Sequence, residues 1–263
     1  MPQTHRLAPG EDIRLADLTT DGRIFESDRD SAEAEFMALR DELADLQRRW
    51  YADGRRSFLV VLQAMDAGGK DGTIRKVFRG VNPQGVRVNS FKKPTHLERS
   101  HDYLWRVHKA IPAKGMIGIF NRSHYEDVLV VRVDELAPED IWNARYEQIN
   151  QFEKLLTDTG TTIVKIFLHI SKAEQAERFQ ARLDVPDKHW KFSPDDLRKR
   201  AQWDDYMAAY EDLLNRCTTN WAPWYVIPAD RKWYRNLAIA RILMHTLREL
   251  NPEYPPPIAE LDS

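Results

Sequence analysis

Hydrophobic positions along the chain fall into two rhythms. Residues 31–54 place Phe36, Leu39, Leu43 and Leu46 on one stripe at helical spacing, with Gly54 as the stop. Short apolar runs then recur at 58–63 (FLVVLQ), 86–91 (VRVNSF), 116–120 (MIGIF), 162–170 (TIVKIFLHI) and 224–228 (WYVIP), each predicting a strand. MIGIF is apolar throughout, as a strand buried on both faces would be. Between the strands, helices are predicted over 73–79, 96–110, 139–158 (ended at Gly160), after Ser171 as N-cap, up to Cys217, and over 231–250. NPQG at 82–85 reads as a turn, and VPDKHWKFSPDD at 185–196 breaks the pattern. Strands joined by helices imply an α/β protein, a three-layer α/β/α sandwich with a mainly parallel sheet.

Composition changes this picture little. A chain of 263 residues suits one large α/β domain. No apolar run approaches the ~18–20 residues of a membrane span, and MPQTHRLAPGEDIR has no signal-type apolar segment. The only cysteine, Cys217, excludes an internal disulfide framework and a Cys-based zinc site. No membrane association and a cytoplasmic location are the expectation. Net charge of −2 conceals an uneven distribution: from Arg75 to Lys114 ten Lys/Arg stand against Glu98 and Asp102. Such a block is a solvated face or a polyanion-binding surface. No nucleic-acid recognition motif accompanies it, so a phosphate ligand is preferred over nucleic acid.

The first strand runs into AMDAGGKDGT, residues 64–73, close to the phosphate-loop frame GxxxxGK[ST], in which backbone amides and a lysine cradle phosphate at a helix N-terminus. Ala64 stands at the first glycine, Asp71 at the Ser/Thr, and Asp66 inside the anion cradle. A carboxylate there is unfavourable unless a metal intervenes or the acid takes part in the chemistry. After MIGIF comes NRSHYEDV, residues 121–128, where a Walker B acid would sit; the position holds Asn121, followed by Arg122, Glu126 and Asp127. Those acids fit a helix N-terminus or a metal site. Arg178 and Arg182 share a helix face, and Lys188, His189 and Lys191 follow between two prolines, as in an Arg-bearing lid. Arg231 and Lys232 are candidates for the same channel, while Asp230 is expected to cap the final helix. His101 and His108 are read as polar-face residues or phosphate contacts, and Trp203, Trp221, Trp224 and Trp233 as packing the core or a subunit interface.

Taken in order, AMDAGGKDGTIRKVF, SFKKPTHLERSHDYLWRVHKAIPAKG, IFNRSHYEDVLVVRV, ERFQARLDVPDKHWKFSPDDL and WYVIPADRKWYRNL resemble the family 2 polyphosphate kinases over about residues 30–250. The resemblance implies a P-loop kinase-like fold with a helical lid, and transfer of a terminal phosphoryl group between inorganic polyphosphate and a nucleoside mono- or diphosphate with Mg²⁺ (or Mn²⁺). It implies a division into an N-terminal extension and helix at 1–55, a core at 56–255 with the lid at about 178–200, and a Pro-rich tail at 251–263. Asn121 with Glu126 and Asp127 is similar to the subgroup using both AMP and ADP. The resemblance assigns Asp66 to metal and catalysis, Lys70 to phosphate, and Arg178 and Arg182 to the lid. Asp127 is then the expected second metal ligand, ahead of Glu126, which is expected instead to touch the acceptor, and Arg122 is a catalytic cation. Phosphate contacts are expected from Ala67, Gly68, Gly69, Asp71, Gly72, Thr73, Asn121, Lys188 and Lys191, with Lys92, Lys93, Arg106, Lys109 and Lys114 guiding the polyphosphate. The family implies a homo-oligomer, a dimer or tetramer. The alternatives are an ATP-dependent small-molecule or nucleotide kinase on the same fold, and a polyanion-binding module without catalysis.

Overall fold

The computed structural model describes residues 2–191 and 193–257. Helix α1 (Arg29–Asp53) is capped by Asp28, whose carboxylate accepts from the amides of Asp30 and Ser31, and ends at left-handed Gly54. Strand β1 (Ser57–Ala64), helix α2 (Lys70–Val77) and strand β2 (Val86–Ser90) follow. Next come two short helices, α3 (His96–Arg99) and α4 (Trp105–His108), strand β3 (Ile117–Asn121), a 3₁₀ turn (His124–Asp127), and helices α5 (Val130–Val133) and α6 (Glu139–Asp158). Strand β4 (Thr161–His169) leads to α7 (Lys172–Asp184), a 3₁₀ segment (Pro186–Lys191), α8 (Pro194–Ala201), α9 (Trp203–Cys217), β5 (Trp224–Pro228) and α10 (Lys232–Leu250).

All five strands pair in parallel, in the order β2-β3-β1-β4-β5, so the sheet is wholly rather than mainly parallel. β1 is buried along its whole length, which its unbroken apolar run anticipates. The chain winds to one side of β1 for β2 and β3 and to the other for β4 and β5. This leaves the crevice of a topological switch at the carboxyl end of β1. Helix α10 packs on both α1 and α2, and α5, α6 and α9 pack with one another. The N-terminal segment is stitched to the core: Leu7 N donates to Trp224 O (2.9 Å) and His5 Nε2 meets the Tyr234 hydroxyl (2.7 Å).

Three expected elements differ. The helix over 96–110 is broken, because Ser100 Oγ donates to Leu97 O (2.8 Å) and the Asp102 carboxylate accepts from Leu104 N (3.0 Å), local bonds that compete with the helical ladder. α2 starts three residues early, at Lys70, since Gly69 O already accepts from Thr73 N (2.9 Å). The pattern break at 185–196 contains a helix start, Ser193 followed by Pro194 and two acids, and the long helix to Cys217 is two helices divided at Gln202. Asp230 does not cap α10; it accepts from Ser171 N (2.8 Å) and Thr20 Oγ1 (2.7 Å), binding the start of α7 to the N-terminal segment.

Candidate active site

The loop after β1 turns tightly. Gly68 N donates to Met65 O (2.9 Å), and both Ala67 (φ 60°) and Gly69 (φ 107°) are left-handed. A Cβ on Gly68 would stand 2.5 Å from Ala64 Cβ, and one on Gly69 would stand 2.1 Å from Arg235 Nη1. The demand for glycine therefore falls at 68 and 69, while Ala64 is the last strand residue and tolerates a side chain. The loop is braced from outside. Arg178 Nη1 donates to Ala67 O (3.0 Å) and Gly68 O (2.9 Å), Nη2 to Ala229 O (2.5 Å), and Nε to Glu174 Oε1 (2.7 Å). The expected lid arginine is thus a clamp on the phosphate loop itself. Arg182 pairs with Asp196 of α8 (2.7 Å), tying α7 to α8.

Lys70 is buried and its Nζ donates to Ala64 O (2.8 Å). Burial, with repulsion from Arg122, outweighs Asp66 and lowers the ammonium to about 8. Burial would raise the Asp66 carboxyl, but Arg122, Lys70 and Lys199 together bring it to about 2. Arg122 Nη2 donates to Asp66 Oδ1 at 2.5 Å, and Lys199 Nζ lies 3.3 Å from Oδ2. Arg122 is itself left-handed (φ 60°), which swings its guanidinium off the end of β3 toward Asp66, and its Nη1 is 3.6 Å from Glu126 Oε2. In the orientation that pairs both amide atoms, Gln63 donates to Glu126 Oε1 (3.1 Å) and accepts from Ser123 Oγ (3.1 Å). Asn121 donates to the Asp71 carboxylate at 2.7 Å.

Asp127 is placed differently from the sequence expectation. It turns from Asp66 to Arg145, accepting from Nη1 at 3.3 Å, while burial lifts its carboxyl to about 6 despite Arg145 and Arg106. In a 3₁₀ turn adjacent side chains diverge by about 120°, so only one of Glu126 and Asp127 can face Asp66. That residue is Glu126. The turn is anchored beneath by a buried network in which Lys165 Nζ meets Glu153 Oε2 (2.6 Å), Tyr125 Oη (2.8 Å) and Cys217 O (2.7 Å), and His124 Nε2 meets Glu153 Oε1 (3.1 Å).

Around these groups opens a cleft of about 790 Å³, lined by eleven Lys/Arg against three Asp. From the expected set it includes Asp66 to Gly72, Lys92, Lys93, Asn121, Arg122, Arg178, Arg182 and Lys188. It also includes Lys232, a channel candidate, Arg75, the first residue of the basic block, and Lys199 and Arg235, for which the sequence carries no expectation. Burial and the nearby Arg178 lower Arg235 to about 9. Arg106 and Lys109 line an adjoining groove of about 370 Å³ that shares Ser90 to Lys93 with the cleft. Thr73 is fully buried and its hydroxyl does not reach the cleft. Lys114 lies before β3, at the opposite end of the sheet, where Gly115 N donates to Arg56 O (2.8 Å). Arg231 pairs with Asp21 (3.5 Å), and the Lys191 side chain lies outside the described residues. Among the described residues no helix is long and apolar enough to cross a membrane.

A parallel sheet with a lysine-bearing loop at its switch point and a cation-lined cleft above defines a P-loop kinase-like protein. The polyphosphate kinase 2 (PPK2) family model matches residues 26–255, and the chain belongs to that family. It is 55% identical over 237 residues to the AMP/ADP-polyphosphate phosphotransferase of Meiothermus ruber, covering 90% of this chain and 89% of that protein. It is 43% identical over 262 residues to the ADP-polyphosphate phosphotransferase of Rhodopseudomonas palustris, covering 95% and 91%. The crystal structure of polyphosphate kinase 2 from Arthrobacter aurescens TC1 superposes with a TM-score of 0.93 at 42% identity, over 100% of this chain and 93% of that one.

Proposed function

We propose that the protein transfers the terminal phosphoryl group of inorganic polyphosphate to AMP and to ADP, reversibly. The observation that carries this reading is the excess of cations in the cleft, eleven against three acids, continuous with a second basic groove. A nucleotide alone does not require so long a positive track, whereas a polyphosphate chain carries charge on every unit. The relatives named for AMP and ADP phosphorylation support both acceptors.

Both substrates are anions, so the barrier is mainly one of bringing them in line. Lys70 and the loop amides hold one phosphate. Arg122, at the seam between Asp66 and Glu126, faces the transferred group. Arg178 holds the loop in shape, and residues 178–200 form the lid. The donor set suits Mg²⁺: Asp66 and Glu126 offer hard oxygen donors on either side of Arg122. Mg²⁺ is commonly held by one or two carboxylates plus substrate phosphates. When bound it supplies charge neutralisation between the two phosphate groups. The decisive assay follows ADP and ATP formation from purified protein, Mg²⁺, polyphosphate and AMP or ADP. Product from neither acceptor, or turnover only with ATP as donor, overturns the proposal.

A further inference from the structure

Asp66 is held on its two oxygens by cations from different parts of the fold. Arg122 belongs to the turn after β3, whereas Lys199 arrives on α8. That helix buries none of its residues and therefore has no apolar anchor. It is placed by ion pairs and hydrogen bonds: Arg198 to Asp134 (2.8 Å), Arg200 to Lys172 O (2.6 Å) and Gln175 Oε1 (3.0 Å), and Asp196 to Arg182 (2.7 Å). Of these, the pair made by the half-exposed Arg198 holds weakly. Only Lys199 reaches from α8 to the phosphate loop, with 13% of its side chain exposed.

A Mg²⁺ ion sits about 2.0–2.1 Å from a carboxylate oxygen. An ammonium 3.3 Å from that oxygen lies within the space of the ion and its waters and repels it. A second partner for the ammonium is already at hand, since Asp195 Oδ2 of the same helix lies 3.5 Å from Nζ. We propose that Lys199 is the resident counter-ion of Asp66, and that a divalent ion displaces it, so that metal entry and release of α8 from the phosphate loop are one exchange. The inference rests on Asp66 being a metal-binding carboxylate, as the proposed function has it. The ammonium keeps its proton and exchanges one ionic partner for another. Metal affinity is thereby held down until phosphates arrive, and the lid responds to the metal without direct contact with nucleotide.

The test is Mn²⁺ binding to the whole protein without nucleotide or polyphosphate, with free Mn²⁺ read by electron paramagnetic resonance. Lys199→Met is expected to bind Mn²⁺ about tenfold tighter than wild type, while Lys199→Arg, which keeps the charge, stays at or below wild type. Hydrogen exchange over residues 194–201 is expected to rise when Mn²⁺ is added to wild type. In Lys199→Met it is expected to be high from the start and insensitive to the ion. Thermal melting checks that both variants are folded, which the surface position of α8 favours. Equal Mn²⁺ affinity in folded Lys199→Met and wild type, or metal-insensitive exchange in wild type, overturns the inference. Asp66→Asn separates the two levels: undiminished Mn²⁺ binding in that variant removes Asp66 as the metal carboxylate, independently of what Lys199 does.

Discussion

Replacing Arg178 with methionine keeps most of the side-chain bulk and removes the fork that grips the phosphate loop. The guanidinium makes three close bonds to main-chain carbonyls, those of Ala67, Gly68 and Ala229, with 9% of the side chain exposed. At about 1 kcal/mol net for each bond, the loss is about 3 kcal/mol. For a domain of this size each kcal/mol moves the melting point by about 2–4 °C, so a fall of about 6–12 °C is expected in a calorimetric scan. The loop should also relax, because the carbonyls of Ala67 and Gly68 lose their outside brace while Lys70 and Asp66 depend on the turn they form. A displacement of about 1 Å at a reacting centre costs on the order of 10²-fold in rate, so kcat should fall by that order. Arg178→Lys should recover little, since an ammonium cannot span carbonyls from two segments as a planar fork does. A melting point within about 2 °C of wild type, together with a raised KM for polyphosphate and an unchanged kcat, would refute the clamp. Arg178 would then serve substrate phosphate rather than the loop.

Burial lowers Lys70 to about 8, and on the proposed function it is the ammonium form that holds phosphate. KM for polyphosphate should therefore rise by up to about tenfold per pH unit above 8, and a flat profile to pH 9.5 would contradict the assignment. Glu126→Gln should lower kcat by about 10²-fold or more, and Asp127→Asn by less than about tenfold, because the asparagine oxygen still accepts from Arg145; the reverse order in a steady-state comparison would restore Asp127 as the metal residue. Lys165→Met leaves the Glu153 carboxylate buried without its ammonium and should destabilise by about 3–5 kcal/mol in denaturant unfolding, while adding Glu153→Leu recovers only part of it, because Tyr125 Oη, His124 Nε2 and Cys217 O then lose their partners. A single substitution below about 1 kcal/mol would show that this network does not stabilise the fold.

Four of the strands were legible because each is an apolar run that returns the chain to the buried sheet, whereas β2, VRVNS with no buried residue, was legible only as a short stretch after a turn. The lid helix was not, because PDDLRKR has no apolar stripe; α8 exists through Ser193 and Pro194 at its start and through ion pairs to other elements. Arg235 was invisible for a different reason. It lies in the apolar run of α10, far along the chain from Gly69, and only the fold sets its guanidinium against that glycine. A lone arginine within an otherwise buried helix face was the available signal. Glu126 and Asp127 were both legible as acids near β3, but their order depended on the turn being 3₁₀, which the spacing of residues alone does not specify.

One departure from the phosphate-loop frame and one from the Walker B position compensate one another. Asp71, at the place of the hydroxyl that would reach a metal, is tied to Asn121, at the place of the Walker B acid. Had both positions been acidic, two carboxylates would stand 2.7 Å apart and one would stay protonated unless a cation lay between them. Asparagine removes that requirement, and the pair becomes a neutral-to-anion hydrogen bond that joins the end of β3 to the start of α2. The proposed metal is thereby moved across the loop to Asp66 and Glu126, which lie on opposite sides of Arg122. A divalent ion held there would supply positive charge beside the Arg122 guanidinium. On the proposed function, Asp66 offers a metal the oxygen ligand that the loop's missing serine does not.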